Sequence, residues 1–369
     1  MGGATISFLN MVKGLQQKGI IPVVVCPDTR INKDFMELLK VNGIEYYYAP
    51  VVLSIIPKAQ KGHYLHWLKA FLLLPVRKMK FRIELKKIIH RVSPDLVHTN
   101  VGVVHEGFHV AKAMGIPHIW HLREYQTLDF NWRIYPSYDV FRHQLKKSYV
   151  ITITDGIKNY FKLERLNNAQ TIYNGIYQKR DACYSKEKSN YFLIASRISP
   201  EKGVRDAIKA FSRFSYRKDY KLLIAGSGNN QYMESLISMA KELGCFNQIV
   251  FLGFQQDVRP LMRRAKALIV ASYYEGFGRM TAEAAFCGTL VIGRNTAGTK
   301  EIMDVIGGFP FNTTDEITIQ MDRVASMTSI EYETMVLKSQ NIAVNKYSIE
   351  SNVDKTYLLY QTILDNQVA

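Results

Sequence analysis

Two glutamates eight residues apart, joined by a glycine-containing loop, are the strongest candidates for chemistry in this sequence. Glycines let a backbone approach a ligand closely, and the free amides that begin the predicted helix after the loop can bind an anion. The two carboxylates can accept hydrogen bonds from two sets of hydroxyls, such as those of a sugar and a ribose. The alternative interpretation is a tight loop with a capping glutamate. The segment comprises Glu275, Gly276, Phe277, Gly278, Arg279 and, one turn into the helix, Glu283.

Two basic residues follow the first predicted strand of the second half. Arg197 and Lys202 stand five residues apart around a turn that contains Pro200. Arginine can hold phosphate oxygens in a fork, and lysine adds a point charge, so the two side chains can converge on one anion. The alternative is a pair of solvated bases in a surface loop.

Weaker signals follow two other predicted strands or open the chain. Gly226 and Gly228 form a lone G-x-G, which by itself is weak support for a nucleotide site. His121 ends a predicted strand, where an imidazole beside a cleft can donate a hydrogen bond. Gly2 and Gly3 precede a predicted helix, whose start would suit a phosphate or a sugar. The alternatives are an ordinary turn, a structural histidine and a disordered tail.

Apolar runs alternate with segments of helical spacing along the whole chain. Most of the candidate residues above come just after an apolar run, which is a predicted strand. This alternation predicts parallel sheets with helices on both faces, and 369 residues suffice for two such domains. Ligands bind beyond the carboxyl ends of parallel strands, so we expect a site in a cleft between two doubly wound α/β domains. The polar segment Gln178–Asn190 is the predicted linker.

Taken together, these motifs resemble the retaining, nucleotide-sugar-dependent glycosyltransferases of family 4 (glycosyl transferases group 1), whose two Rossmann-like domains form the GT-B fold. The resemblance is strong in residues 191–305 and moderate in residues 1–180, where Tyr173-Asn174-Gly175 is a further landmark. It implies an acceptor-binding domain at 1–180 and a nucleotide-sugar-binding domain at 181–346. It also implies a C-terminal helix at 347–369 that crosses back to the first domain.

The resemblance also implies roles for the motif residues. Arg197 and Lys202 would hold the donor diphosphate, with the G-x-G loop of Gly226 and Gly228 nearby, and Glu283 would accept hydrogen bonds from the ribose. Glu275 would bind the transferred sugar, together with the backbone from Gly276 to Gly278 and with Arg279. The segment Gly253–Val258 resembles the loop that contacts the base. His121 would meet the sugar or the phosphates, and Gly2 and Gly3 would face the donor.

The activity implied is transfer of a hexosyl group with retention of the anomeric configuration. The donor would be a UDP- or GDP-sugar, and the acceptor a lipid-linked glycan of bacterial capsule, exopolysaccharide or O-antigen synthesis. Basic side chains and a helix dipole can stabilise the departing diphosphate, and no D-x-D signature occurs, so we expect neither a metal nor a cofactor.

The sequence departs from the family pattern at its start. Family members begin with a hydrophobic strand that leads into the glycine loop, whereas this chain starts at the loop. A central strand of the first sheet is therefore expected to be missing, with its neighbours' edges exposed. We expect the native start about 10–20 residues upstream of Met1, given strand lengths of 3–10 residues.

Charge is concentrated in the first half. Residues 1–180 carry a net charge of +14 and residues 181–369 one of +2. Basic residues interleaved with aromatic and aliphatic ones in residues 57–91 predict contact with an anionic membrane or the acceptor. The alternative is a helix whose lysine stems cover the core. The residues assigned to this surface are Lys61, Trp67, Lys69, Arg77, Lys78, Lys80 and Arg82.

Other features define the compartment and exclude classes of partner. No apolar run reaches the ~18 residues of a membrane span, no signal peptide is visible, and the four cysteines are widely spaced. We therefore expect a cytoplasmic enzyme associated peripherally with the inner face of the membrane. No nucleic-acid motif accompanies the basic residues, so nucleic-acid binding is not expected.

Two alternatives keep this fold but change the function. One is a GT-B sugar-nucleotide epimerase, which would isomerise the donor without an acceptor. The other is a non-catalytic partner that binds a nucleotide sugar or the membrane. A phosphorylase would need a cofactor-anchoring lysine in a context that the sequence lacks.

Overall fold

The computed structural model describes residues 3–27, 33–56, 64–130 and 133–368, which form two compact units. The first unit comprises residues 1–174 and 352–369, and the second comprises residues 175–351. The first therefore consists of two separate stretches of chain.

Both divisions differ by a few residues from the expected boundaries at 180 and 346. The predicted linker is packed on the second unit: the Cys183 amide donates to the Phe286 carbonyl at 3.0 Å, and Lys188 Nζ donates to the Gly288 carbonyl at 2.6 Å. Its polar side chains mark a surface segment rather than a boundary. Tyr347 belongs to the second unit, where its carbonyl accepts a hydrogen bond from the Ile176 amide.

The first unit alternates short strands with helices. Its elements are α1 (Gly3–Gln17), β1 (Val23–Pro27), α2 (Lys33–Val41), β2 (Glu45–Ala49), β3 (Ile55–Ile56), α3 (Tyr64–Val92), β4 (Val97–Thr99), α4 (Glu106–Ala113), β5 (His118–Leu122), α5 (Thr127–Phe130), β6 (Arg133–Ile134), α6 (Tyr138–Leu145), β7 (Tyr149–Thr152), α7 (Asp155–Tyr160) and β8 (Ala169–Thr171).

The parallel strands of this unit are divided into two groups. Among the described residues β1 pairs only with β2, while β4, β5, β7 and β8 form a separate sheet in that order. Val25 of β1 and Val97 of β4 pack against the same apolar cluster, which includes Leu85 and Ile88 of α3. The two groups thus share a core, and within the described residues β1 and β4 each have one edge without a hydrogen-bonded strand.

The second unit is a six-stranded parallel sheet with helices on both faces. Its elements are β9 (Tyr191–Ala195), α8 (Val204–Arg213), β10 (Lys221–Ala225), α9 (Asn230–Glu242), β11 (Ile249–Gly253), α10 (Arg259–Arg264), β12 (Ala267–Val270), α11 (Arg279–Phe286), β13 (Leu290–Arg294), α12 (Ala297–Ile306), β14 (Phe309–Phe311), α13 (Thr314–Ser326) and α14 (Ser329–Tyr347).

The strand order is β11-β10-β9-β12-β13-β14. From β9 the chain adds strands on one side as far as β11, and from β12 it adds strands on the other side. The loops after these two central strands therefore lie at a topological switch point. Apolar clusters lie on both faces of this sheet, because neighbouring residues such as Leu193 and Ile194 of β9 point to opposite sides and are both buried.

The last helix, α15 (Ile349–Val368), supplies the second segment of the first unit. Val353 of this helix packs at Gly14 of α1, where an added Cβ would lie 2.2 Å from a Val353 methyl. The Asn352 side chain donates to the Tyr173 carbonyl at 2.7 Å. Residues 352–368 are therefore part of the packing of the first unit.

Candidate functional site

The loops after the central strands of the second unit are bonded to one another. The Ile198 amide, after β9, donates to the Ser227 carbonyl, after β10, at 2.8 Å. The Tyr273 amide, after β12, donates to the Glu201 carbonyl at 3.0 Å, and the Gly226 amide donates to the Gly253 carbonyl at 2.8 Å. Four sequence motifs that lie far apart along the chain are thereby fixed at one edge of the sheet.

The glycines of the G-x-G motif are required by this packing. Gly226 has φ of 148°, and a Cβ there would lie 1.8 Å from the Ser196 carbonyl oxygen. A Cβ at Gly228 would lie 2.0 Å from the Ile198 carbonyl oxygen. Both glycines abut protein backbone, so their missing side chains make room for the neighbouring loop and not for a ligand. They position the Arg197 loop instead.

Lys202 and Glu275 meet although they are 73 residues apart. Lys202 Nζ lies 2.6 Å from Glu275 Oε1, and the side chains are only 20% and 26% exposed. This pair joins the loop after β9 to the loop after β12. The backbone of Glu275 is also fixed, because its carbonyl accepts a hydrogen bond from the Gly298 amide at 2.9 Å. The structure thus brings together two of the predicted site residues.

Arg197 lies in the same loop but has a different partner. Its side chain is 70% exposed, and Nη2 lies 2.9 Å from Glu201 Oε1. Arg197 lines a cavity of about 420 Å³ together with Ser227, Asn229 and Tyr232. The Asn229 side chain also accepts the Tyr232 amide at 3.2 Å and so begins α9 at the cavity wall. A cationic side chain and several polar groups therefore face an open cavity.

Glu283 is paired with Arg279 on the same helix. Arg279 Nε lies 2.5 Å from Glu283 Oε1, and the Glu283 side chain is 7% exposed. Burial and the negative charge of Glu283 raise the pKa of the neighbouring Tyr177 hydroxyl. Gly278, with φ of 80°, is the N-cap of α11 and turns the chain from the Glu275 loop into this helix.

Phe277, predicted to bind the donor, is buried. Its side chain is 5% exposed, and its ring packs edge to face on Tyr347 with the centroids 5.9 Å apart. Its large apolar ring contributes to the core under the loop. Only the backbone of this residue remains available for the predicted role.

In the first unit His121 lies near the end of β5, one residue before Leu122, and its ring is completely buried. His121 Nδ1 lies 3.2 Å from His98 Nε2 and 3.5 Å from Arg123 Nη2. Arg123 is held in turn by Asn174 Oδ1, which accepts from Nη1 at 2.6 Å. His121 belongs to a buried polar network.

The basic stretch forms α3, which carries an exposed apolar stripe. The members of the stripe are 45–64% exposed and recur every three or four residues on one side of the helix: Leu68, Leu72, Val76, Met79 and Ile83. Lys69, Arg77 and Lys80 are also exposed. Among the helices of the described residues, none combines the length and apolar character needed to cross a bilayer.

Lys78 does not belong to this exposed surface. Its side chain is 7% exposed, Nζ lies 3.3 Å from Glu106 Oε1 of α4, and it donates to Ser54 Oγ at 2.5 Å. Arg82, 34% exposed, lies 3.7 Å from the same Glu106 oxygen. Both residues face the interior because a buried carboxylate attracts them, which corrects their assignment to a membrane surface.

Several assigned residues cannot be placed on either surface. Gly2 and Lys61 lie outside the described residues, as does the side chain of Trp67. Gly3 is described and begins α1, where it is exposed.

Sequence reasoning missed Tyr360 of α15. Its hydroxyl lies 2.5 Å from His98 Nδ1, and its side chain is 8% exposed. No local motif marks it, because its partner lies 262 residues away. Arg123, two residues after His121 at the same strand end, could have been found from that position.

Known families match both halves of the chain. Residues 1–180 match the model of Glycosyltransferase Family 4, and residues 178–316 match that of Glycosyl transferases group 1. The two matches together span residues 1–316.

Individual relatives agree with these matches. An uncharacterized glycosyltransferase of Methanocaldococcus jannaschii is 29% identical over 187 residues, which are 49% of this chain and 47% of that protein. The chain thus spans about half the length of that relative. The O-antigen chain mannosyltransferase RfbU of Salmonella typhimurium is 24% identical over 349 residues, 93% of this chain and 91% of RfbU.

The fold has a solved counterpart. The crystal structure of HepE of Anabaena in complex with UDP superposes with a TM-score of 0.78 at 18% identity, covering 98% of this chain and 96% of HepE. At this identity the likeness concerns the fold, which is that of the two-domain GT-B glycosyltransferases. With both halves of the sequence matched and the fold in agreement, the chain belongs to the family 4 (group 1) glycosyltransferases.

Proposed function

We propose that this protein transfers a hexosyl group from a nucleotide sugar to a lipid-linked or polysaccharide acceptor, with retention of configuration and without a metal. The observation that supports this proposal best is the Lys202–Glu275 contact of 2.6 Å at the switch point of the second sheet. There a cation suited to a phosphate lies beside a carboxylate suited to sugar hydroxyls.

In the proposed reaction the bond between the anomeric carbon and the diphosphate oxygen breaks, and a bond to an acceptor hydroxyl oxygen forms on the same face. The hydroxyl proton passes to the departing diphosphate. Arg197, Lys202 and the N-terminal amides of α11 would stabilise the charge that develops on that leaving group. Glu275 would accept hydrogen bonds from the transferred sugar and Glu283 from the ribose.

Relatives indicate candidate substrates. HepE was crystallised with UDP and with UDP-glucose, which favours a uridine donor here over the guanosine alternative. RfbU is named as an O-antigen chain mannosyltransferase, which favours a polysaccharide or its lipid-linked precursor as the acceptor.

The exposed stripe of α3 supports peripheral association with an anionic membrane. Aliphatic side chains can enter the interfacial layer while Lys69, Arg77 and Lys80 contact acidic headgroups. A lipid-linked acceptor would be presented at that surface. We therefore place the enzyme at the cytoplasmic face of a bacterial cell membrane.

The test is a transfer assay with a panel of UDP- and GDP-sugars and membrane glycolipid extract, run with EDTA and with added Mg²⁺. We expect turnover that EDTA leaves unchanged and a product whose anomeric configuration, read by NMR, matches the donor. Glu275→Gln should lower turnover by about 100-fold or more while UDP binding persists, because an amide cannot replace a carboxylate that accepts hydroxyls and pairs with Lys202.

The matched control is Glu242→Gln, which alters an exposed carboxylate on α9. Isomerised nucleotide sugar in the absence of acceptor would indicate an epimerase. Binding of the nucleotide sugar without any turnover would indicate a non-catalytic partner.

A further inference from the structure

Four polar side chains form a continuous row in the first unit, in which Tyr360, His121 and Arg123 are buried and His98 is partly buried. The Tyr360 hydroxyl of α15 lies 2.5 Å from His98 Nδ1 of β4, and His98 Nε2 lies 3.2 Å from His121 Nδ1 of β5. Arg123 Nη2 approaches the same His121 nitrogen at 3.5 Å. The described residues provide no hydrogen-bond partner for the other nitrogen, His121 Nε2, although the ring is completely buried.

One arrangement of protons satisfies every contact in this row. A guanidinium only donates, so His121 Nδ1 must hold a lone pair. His98 Nε2 must then donate to it, His98 Nδ1 must accept, and the Tyr360 hydroxyl must donate. A neutral His121 therefore carries its single proton on Nε2, the nitrogen that lacks a protein partner.

Both imidazoles are neutral at physiological pH. Burial lowers the pKa of His98 to about 3, with a further lowering by the Arg123 charge. Burial likewise lowers the pKa of His121 well below its ordinary value, and the charges of Arg123 and His98 act in the same direction. Each ring thus holds one proton, and its position decides whether a nitrogen donates or accepts.

We propose that Tyr360 and His98 are positioning residues that hold His121 as the Nε2–H tautomer, so that Nε2–H donates a hydrogen bond to a substrate oxygen during glycosyl transfer. This inference rests on the proposed function. The buried, unpartnered Nε2–H is a donor whose cost of burial a substrate acceptor would offset. The opposite tautomer would present a lone pair, which repels a phosphate or carbonyl oxygen.

This assignment gives the C-terminal helix a chemical role. Tyr360 connects α15 to the row, because its hydroxyl donates the first hydrogen bond of the row, to His98 Nδ1. Removing that hydroxyl leaves His98 Nδ1 as a buried acceptor without a donor. His98 can then recover by moving its proton to Nδ1, which removes the donor to His121 and destabilises the Nε2–H tautomer.

The test is a two-bond ¹⁵N–¹H correlation spectrum of the protein labelled at its nine histidines, which distinguishes protonated from unprotonated ring nitrogens. Wild type should show His121 protonated at Nε2, and Tyr360→Phe should show a mixture of tautomers. In parallel, kcat of Tyr360→Phe should fall between about ten- and a hundredfold with little change in KM, by analogy with the loss of outer partners of metal-binding histidines.

Matched variants separate positioning from folding. Tyr357→Phe removes a hydroxyl one turn earlier on α15 and should match wild type in both readouts. His98→Gln can accept from Tyr360 and donate to His121, so it should retain the Nε2–H tautomer, whereas His98→Leu should lose it. Thermal unfolding of each variant checks the fold, and the His98 pair decides the question if Tyr360→Phe fails to fold.

The spectroscopic readout needs no activity, so the two hypotheses can fail separately. An Nδ1–H tautomer of His121 in wild type overturns the positioning role whatever the enzyme does. An unchanged tautomer in folded Tyr360→Phe and His98→Leu also overturns it. The predicted tautomers in a protein that transfers no sugar would instead refute the proposed function and, with it, the role in glycosyl transfer.

Discussion

At the scale of single residues, Lys78 and Glu106 show how strongly burial changes what a charge does. The two side chains are 7% and 0% exposed and lie 3.3 Å apart. Burial raises the pKa of Glu106 and lowers that of Lys78, while each charge counteracts the shift of the other. Their mutual attraction offsets a desolvation cost of several kcal/mol per ion.

Removing one member of this pair should therefore be more harmful than removing both. We expect Lys78→Met to lower the free energy of unfolding by about 3–5 kcal/mol, because Glu106 stays buried with only the more distant Arg82. The double variant Lys78→Met/Glu106→Leu should lie within about 1–2 kcal/mol of wild type. Urea unfolding measures both, and a double variant as unstable as the single one would contradict the argument.

The same residues show where sequence reasoning ends. Arg197, Lys202 and Glu275 could be identified because each directly follows a predicted strand, and parallel strands bring such positions to one edge. The interior position of Lys78 could not, since a lysine in a basic helix is ordinarily solvated and its partner lies 28 residues further on. Tyr360 could not be identified either, because its partner His98 lies 262 residues away along the chain.

At the scale of elements, strands that coincide with an apolar or aromatic run of about five residues were predicted best. The alternation of apolar runs and helical segments predicts strands at Lys221–Ala225 and Glu45–Ala49, and the structure has strands with these bounds. Phe309–Phe311 was missed, because three residues centred on Pro310 give no periodicity to detect. The antiparallel strands Ile55–Ile56 and Arg133–Ile134 have two residues each, which is too few for a hydrophobic pattern to predict them.

The length of α3 was also not predicted. Pro75 disfavours a continuous helix in the sequence, yet α3 continues through this proline for a total of 29 residues. Its buried side, which includes Leu74, Phe81 and Leu85, packs in the core and stabilises the helix despite the proline.

The unpaired edges of β1 and β4 should be visible in hydrogen exchange. In the part of the chain that the structure describes, amides that point from these strands toward the unpaired side lack a strand acceptor, whereas β5 is hydrogen-bonded on both sides. We expect a peptide covering residues 23–27 to take up deuterium faster than one covering residues 118–122, measured by mass spectrometry. Equal protection of the two peptides would mean that the edges are covered in solution.

At the scale of the whole molecule, the charge asymmetry predicts how the protein meets a membrane. Flotation with vesicles containing acidic lipids should recover wild type, and neutral vesicles should recover far less. The triple variant Lys69→Glu/Arg77→Glu/Lys80→Glu should reduce binding by at least about 100-fold, since each lost base contributes about 1 kcal/mol and the three new carboxylates are repelled.

A charge-matched control exists in the second unit. Lys209, Lys218 and Lys221 are exposed there, and replacing all three with glutamate changes the net charge by the same amount. We expect this variant to bind like wild type. Equal losses in the two triple variants would show that net charge alone, and not the α3 surface, governs the association.

The discontinuous make-up of the first unit has a consequence for biosynthesis. Residues 352–368 pack with the first 174 residues, so the ribosome must translate the 177 residues of the second unit before the first can be completed. At about 5–20 residues per second this delay lasts roughly 10–35 s. During that interval α1 lacks its packing partner Val353, and nascent chains would need chaperones that shield the uncovered apolar surface.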